Sequence, residues 1–284
     1  MAARSAPYRK PSAPWSRYIV YLLVYGLTLL WLVPVITAVL TSFRTNNDIL
    51  QRGFWTLPNS LSIQSYLNAW TRGGLSHYLP NSFIITLPAL FATLFLSSLG
   101  AYALARFKFP GNRVIFFIFV AGALLPFQIL LLPVFRLTDY LGIYNTYMAL
   151  IVFHTSFQLG FCTFVLRNYM RTIPGEILEA ARIDGCSEFG IYSRIMMPLT
   201  IPALAALATL EFTWIFNDFQ WALVLLQADA LKPVTTGLAS LQGQYIMDWT
   251  VIIAGSLIAT APTVLVFIFL QRYFIAGLTL GSSK

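Results

Sequence analysis

Six long apolar runs alternate with polar segments along the chain, at about 18–42, 80–104, 114–135, 147–166, 199–226 and 250–270. Crossing the hydrocarbon core of a bilayer takes about 20 apolar helical residues, so each run predicts a membrane-spanning helix. The first is longer than the roughly 7–15-residue apolar stretch of a signal peptide and reads as a retained span, with Pro34 a tolerable kink. Small residues late in the second run (Ser97, Ser98, Gly100, Ala101, Ala103, Ala105) predict close helix packing. Pro126 and Pro133 break the third run. Between the first two runs, residues 43–79 read as a solvated loop whose Trp55, Tyr66, Trp70 and Tyr78 sit at the membrane interface.

The most polar long interval of the chain is 174–198. It holds four of the ten acids, Glu176, Glu179, Asp184 and Glu188, together with Arg182 and Arg194. Pro174 suits a first helical turn, and the early carboxylates suit the positive end of the helix dipole. Gly185 is the natural stop. Ser187 then caps a second short helix, with Phe189, Tyr192, Ile195 and Met196 on one side, until Pro198 closes it. The expectation is a helix–glycine–helix element outside the bilayer.

Composition agrees. The chain is 58% hydrophobic and 10% charged, with a mean hydropathy of +0.72, against about a quarter charged in soluble domains. The fold class is therefore all-α and polytopic, with a basic lead at 1–17, a six-span region at 18–276 and a short tail at 277–284. The net charge of +8 follows topology and does not point to nucleic acid. Segments 1–17, 105–113, 167–198 and 271–284 carry Arg4, Arg9, Lys10, Arg17, Arg106, Lys108, Arg113, Arg167, Arg171, Arg182, Arg194, Arg272 and Lys284. The intervening loops carry only Arg44, Arg52, Arg72, Arg136 and Lys232. Positive charge concentrates on the cytoplasmic side, which puts both termini and the 174–198 element inside the cell.

Signatures for phosphate cradling, zinc proteolysis and serine hydrolysis are all missing. Cys162 lies in a span and Cys186 in a polar loop, and neither has metal-ligand spacing with His77 or His154. The fifth run carries the chemistry. Glu211 and Asp218 are seven residues apart, which places them within about 20° of one helical face, with Trp214 and Ala222 on that stripe and Asn217 beside it. Carboxylates in a membrane face a partner or an aqueous path. An acid–aromatic stripe suits a polyhydroxylated solute; equally, the same groups could pair with a neighbouring subunit or cap broken backbone. His154, Gln158 and Cys162 share a face of the fourth run, and Gln128 lies in the third. They too can be buried groups satisfied by a neighbouring helix, or lining of a solute path.

The residues Glu179-Ala180-Ala181, Asp184-Gly185 and Ile195-Met196-Met197-Pro198 resemble the EAA loop of ABC importer permeases, with Met197 where Leu is usual and Cys186 where a small residue is usual. The stretch 216–222 resembles the W-N-[DE]-[FY]-x-x-P stretch of carbohydrate-importer permeases, with Phe216 for the Trp and Ala222 for the Pro. Tyr66-Leu67-x-x-Trp70, Asn81-Ser82, the run Ala101–Arg106 and the glycines 277 and 281 look like the second permease subunit of maltose-type sugar importers. This resemblance implies a complex in which a second, different permease completes the pathway and two nucleotide-binding ATPase subunits carry ATP and magnesium. It further implies an extracytoplasmic solute-binding protein that delivers sugar, all in a prokaryotic inner membrane. Within the loop, the helix from Pro174 to Asp184 would sit in an ATPase cleft, with Ala180 and Ala181 keeping its face flat, Glu179 offering a charged contact and Gly185 permitting the turn. Phe189, Tyr192 and Ile195 would hold the second helix, closed by Pro198, to the spans. Importers of glycerol phosphate or polyols share this permease type. An ion-coupled secondary transporter using Glu211 and Asp218 is the rival class; it predicts internal inverted repeats, which the chain does not show.

Overall fold

The computed structural model describes residues 14–240 and 248–279. Most of the basic lead and residues 280–284 of the tail lie outside the described residues. Helix α1 spans Pro14–Ser42, and two short helices, α2 (Asn46–Arg52) and α3 (Gln64–Thr71), follow it. Helix α4 runs Leu75–Arg106. Its start precedes the expected one because Ser76, His77 and Tyr78 join the helix ahead of the apolar run. Among the described residues, five helices are long and apolar enough to cross a membrane, or six if one bent pair is counted as a single span.

That pair is the broken third run. Helix α5 (Asn112–Ala123) gives way to a 3-10 turn at Phe127–Leu130 and then to α6 (Leu131–Tyr140), with a bend of 92°. Pro126 ends the first segment, because the residue before a proline avoids helical backbone. Helix α7 (Tyr147–Met170) follows, then α8 (Gly175–Ile183), α9 (Glu188–Ile191), a π-turn at Tyr192–Met196 and α10 (Met197–Phe216). The chain closes with α11 (Gln220–Leu225), α12 (Val234–Ser240) and α13 (Trp249–Thr279). Helix α13 therefore continues into the expected tail.

Helices α4 and α7 form the most extensive packing in the molecule, and the small residues permit it. Ser97, Ser98 and Ala101 are buried there, and Thr163 of α7 lies against Gly100. Helix α5 also lies close on α7: a Cβ on Gly160 would stand 2.5 Å from the Phe119 carbonyl oxygen. By contrast, α1 packs chiefly on α13, and its apolar side chains from Tyr18 to Ile36 are exposed. The interior forms one cluster at the end carrying α8, around Leu166, Met170, Leu178, Tyr192 and Met196. Two further clusters lie at the opposite end, around Phe153 and Trp221 and around Tyr78 and Phe212.

The polar segment 43–79 is a solvated loop only in part: α2 and α3 form within it, residues 57–61 are largely exposed, and its start is tied down by a buried arginine. Arg44 is 1% exposed. Its Nε donates to Asp48 Oδ2 at 2.6 Å, and its remaining nitrogens donate to the Gly53 carbonyl and to Thr56 Oγ1, both at 2.9 Å. Trp55 is exposed and Trp70 partly so. Tyr66 bonds Ser42 at 2.8 Å, and buried Tyr78 donates to Asp229 Oδ2 at 3.0 Å.

Candidate functional site: a hairpin and a pocket at two ends of one helix

The hairpin forms as its residues direct. Gly185 has φ +83°, a conformation that side chains with a Cβ resist. The amide of Cys186 bonds the Ala181 carbonyl at 2.9 Å and that of Gly185 bonds the Arg182 carbonyl at 3.0 Å, the paired closure of a Schellman motif. Ser187 Oγ then accepts from the Gly190 amide at 3.2 Å to start α9. Leu178 and Ala181 are buried in the bundle, while Glu179, Ala180, Asp184 and Ile183 face outward. Arg182 Nε donates to Glu188 Oε1 at 2.6 Å, and this bond keeps the guanidinium more basic than usual.

Two expectations about the second helix change. Pro198 does not close it: Glu188–Phe216 is one continuous 29-residue helix. The π-turn at Tyr192–Met196 widens the winding just before Pro198 and tolerates its missing N–H. The same extra residue re-phases the buried face. Ile191, Tyr192 and Met196 are buried, Ile195 is half-buried, and Phe189 is 72% exposed instead of packing on the spans.

Of the three expected fasteners, Tyr192 and Ile195 pack on the spans and Phe189 does not; the polar ties were not foreseen. Tyr102 donates to Glu188 Oε2 at 3.0 Å, Ser98 bonds Tyr192 at 2.7 Å, and Arg106 donates to the carbonyls of Met170 and Ile173. These bonds tie α4 to α9 and to the end of α7. A tyrosine and an arginine four residues apart at the end of a span carried the signal.

At the opposite end, α10 stops at Phe216. Asp218 accepts from the amides of Trp221 at 3.2 Å and Ala222 at 3.0 Å, so it caps α11 instead of extending the helix. The seven-residue stripe therefore does not exist. Glu211 points into the bundle, wholly buried, and accepts from Cys162 Sγ at 3.2 Å. Asn217 donates to the Thr213 carbonyl and to Thr263 Oγ1. Gln128 is exposed in the bend.

Four expected residues do converge. His154, Gln158, Trp214 and Asp218 line a cavity of about 250 Å³ with Phe127, Phe153, Phe157 and Trp221. His154 Nε2 lies 3.5 Å from Asp218 Oδ2 and has no hydrogen-bond partner. Trp214 is 55% exposed at the rim. The Phe153 and Trp221 ring centroids are 3.7 Å apart, and Phe157 stacks on Phe153 at 5.6 Å. Sequence reading missed these rings because phenylalanine in an apolar run carries no distinguishing signal. Among the described residues, no cluster of three or more His, Cys, Asp or Glu could hold a metal.

Similarity to known proteins agrees with this architecture. The chain is 37% identical over 254 residues to the arabinooligosaccharides transport system permease protein AraQ of Halalkalibacterium halodurans, covering 88% of this chain and 90% of that one. It is 33% identical over 279 residues to the probable ABC transporter permease protein YurM of Bacillus subtilis, covering 98% and 90%. It is also 30% identical over 266 residues to the diacetylchitobiose uptake system permease protein NgcG of Streptomyces coelicolor, covering 92% and 88%. A chain of a bacterial ABC transporter that imports the acidic polysaccharide alginate shares the fold, with a TM-score of 0.81 at 24% identity over 95% of this chain and all of that one. Residues 94–279 match the family described as "Binding-protein-dependent transport system inner membrane component", and with the hairpin, spans and relatives in agreement, the chain belongs to that family.

Proposed function

We propose that this chain is a translocation subunit of an ATP-driven importer of carbohydrate, with the 174–198 hairpin as its joint to separate ATPase subunits. The chain is a multi-pass membrane permease; it provides passage, not catalysis. The observation that carries the proposal is the continuous helix Glu188–Phe216. At 1.5 Å per residue it is about 43 Å long. One end belongs to the hairpin and the other reaches the break where Asp218 enters the aromatic pocket. A push on the hairpin would reach the pocket through one continuous helix, which suits alternating access. ATP and magnesium would reside on the partners, a second permease would complete the pathway, and an extracytoplasmic binding protein would deliver solute. The excess of positive charge at the hairpin end supports a cytoplasmic placement of the hairpin and of both termini in a prokaryotic inner membrane.

Sugar is the favoured cargo. Several relatives carry names of oligosaccharide transport, and the pocket combines aromatic faces with His154, Gln158 and Asp218, groups that can exchange hydrogen bonds with hydroxyls. Its lining holds no lysine or arginine, which disfavours a phosphate-bearing solute.

The test is cysteine crosslinking from Ala180→Cys, in a background lacking Cys162 and Cys186, to co-expressed ATPase subunits in membranes. An ATP-sensitive crosslink is expected. Failure to crosslink, together with gradient-driven uptake by the purified chain alone, would replace the proposal with a secondary transporter.

A further inference from the structure

We propose that the groove at the hairpin end of the bundle, between the α4–α5 turn and the end of α7, binds the headgroup of an anionic phospholipid. Its volume is about 710 Å³, within the range of built small-molecule sites. Its lining holds four cations, Lys108, Arg113, Arg167 and Arg171, and no acid. Lys108, Arg113 and Arg171 have no ion pair or side-chain hydrogen bond among the described residues. Only Arg167 is engaged, donating to the Leu104 carbonyl at 3.2 Å and lying 3.9 Å from the Phe116 ring centroid. Like charges gathered around one concavity repel one another, and a bound anion relieves that repulsion. The groove keeps its shape without a ligand: Asn112 Nδ2 donates to the carbonyls of Leu104 and Phe107 at 3.3 and 3.0 Å, which pins the turn.

Placement makes the anion a lipid. Lys108 and Arg113 lie just past the end of the 32-residue helix α4, and Arg167 and Arg171 lie at the matching end of α7, where phosphate headgroups sit. From the groove, Val114, Phe117 and Ile118 form an exposed apolar strip along α5, more than 60% exposed at each position. Their i, i+3, i+4 spacing puts them on one face, running from the headgroup level into the hydrocarbon. The strip gives an acyl chain a track directly above its phosphate. A soluble anion has no use for it.

The experiment uses the assembled importer, purified with its partner subunits. Native mass spectrometry reads retention of added dioleoyl phosphatidylglycerol against dioleoyl phosphatidylcholine. The groove triple Lys108→Gln/Arg113→Gln/Arg171→Gln is compared with wild type and with a charge-matched control, Arg52→Gln/Arg72→Gln/Arg136→Gln. Arg167 is left in place because it also holds the turn. Phosphatidylglycerol retention should fall on the order of a hundredfold in the groove triple and stay unchanged in the control, with phosphatidylcholine equal in all three. Equal phosphatidylglycerol retention in wild type and groove triple would overturn the proposal. Two other results would also overturn it: competition by inorganic phosphate as effective as by the lipid, or loss of the ATPase subunits with lipid retention intact. If the triple fails to assemble, the single variant Arg113→Gln gives the same readout.

Discussion

The two ends of the Glu188–Phe216 helix are built on opposite principles. At the hairpin end most polar groups are paired: Arg182 with Glu188, Glu188 with Tyr102, Tyr192 with Ser98, and one Arg106 Nη with two carbonyls, leaving only the buried Nε of Arg106 in this network without a bond. At the pocket end His154 Nε2 is buried without a hydrogen bond, and the carboxylate facing it is 3.5 Å away. A satisfied network rigidifies, whereas an unsatisfied buried donor costs about 1–3 kcal/mol until something pairs with it. The first arrangement suits a joint that must transmit force. The second suits a site that waits for a visitor.

The contrast breaks most severely at Gly185. A valine there would hold a β-branched side chain at φ +83°, a strain of about 1–2 kcal/mol concentrated in a turn with little else to yield. Gly185→Val should leave membrane insertion intact and abolish sugar uptake; uptake at the wild-type rate would remove the joint from the mechanism.

Tyr102→Phe should cost less. It deletes one hydrogen bond, worth about 1 kcal/mol, and leaves the ring in its contact with Tyr192. Uptake per ATP hydrolysed should fall several-fold, and Ser98→Ala combined with it should cost more than either alone. If the pocket takes solute, Trp214→Leu should slow uptake with assembly and melting temperature unchanged, because an exposed side chain contributes within about 0.5 kcal/mol to stability. Equal uptake would mark the rim as lipid or partner contact.

The smallest effect concerns neither end and serves as a control. The Arg44 guanidinium holds the Asp48 carboxyl below its usual value. A lowered folded pKa contributes stability above the unfolded value of about 4, and that stability is lost as pH falls through the folded value. The melting-temperature gap between wild type and Asp48→Asn should therefore close on acidification below about pH 4, with uptake at neutral pH little changed.

The spans were legible because twenty apolar residues have few other fates, and the hairpin because Glu179-Ala180-Ala181 and Gly185 dictate a helix and its stop. What escaped was set by contacts distant in sequence. Asp218 reads as one more residue of a helix until the amides of Trp221 and Ala222 are seen to use it as a cap. Pro198 reads as a terminator because nothing in the letters announces a wide turn before it. Arg44 reads as a loop cation, and its burial depends on carbonyls up to ten residues away.

The wide turn at Tyr192–Met196 also fixes a length. Removing one residue from it would restore ordinary winding and swing everything before it by about 100° around the helix axis. Ile191 and Leu178 would leave the bundle, and Tyr102 would lose Glu188. The interval from Cys186 to Pro198 therefore tolerates replacement of letters far better than a change in their number, while the exposed 57–61 stretch, beyond the carbonyls that hold Arg44, has no such phase to keep. Over evolutionary time, insertions should accumulate in the second and be purged from the first.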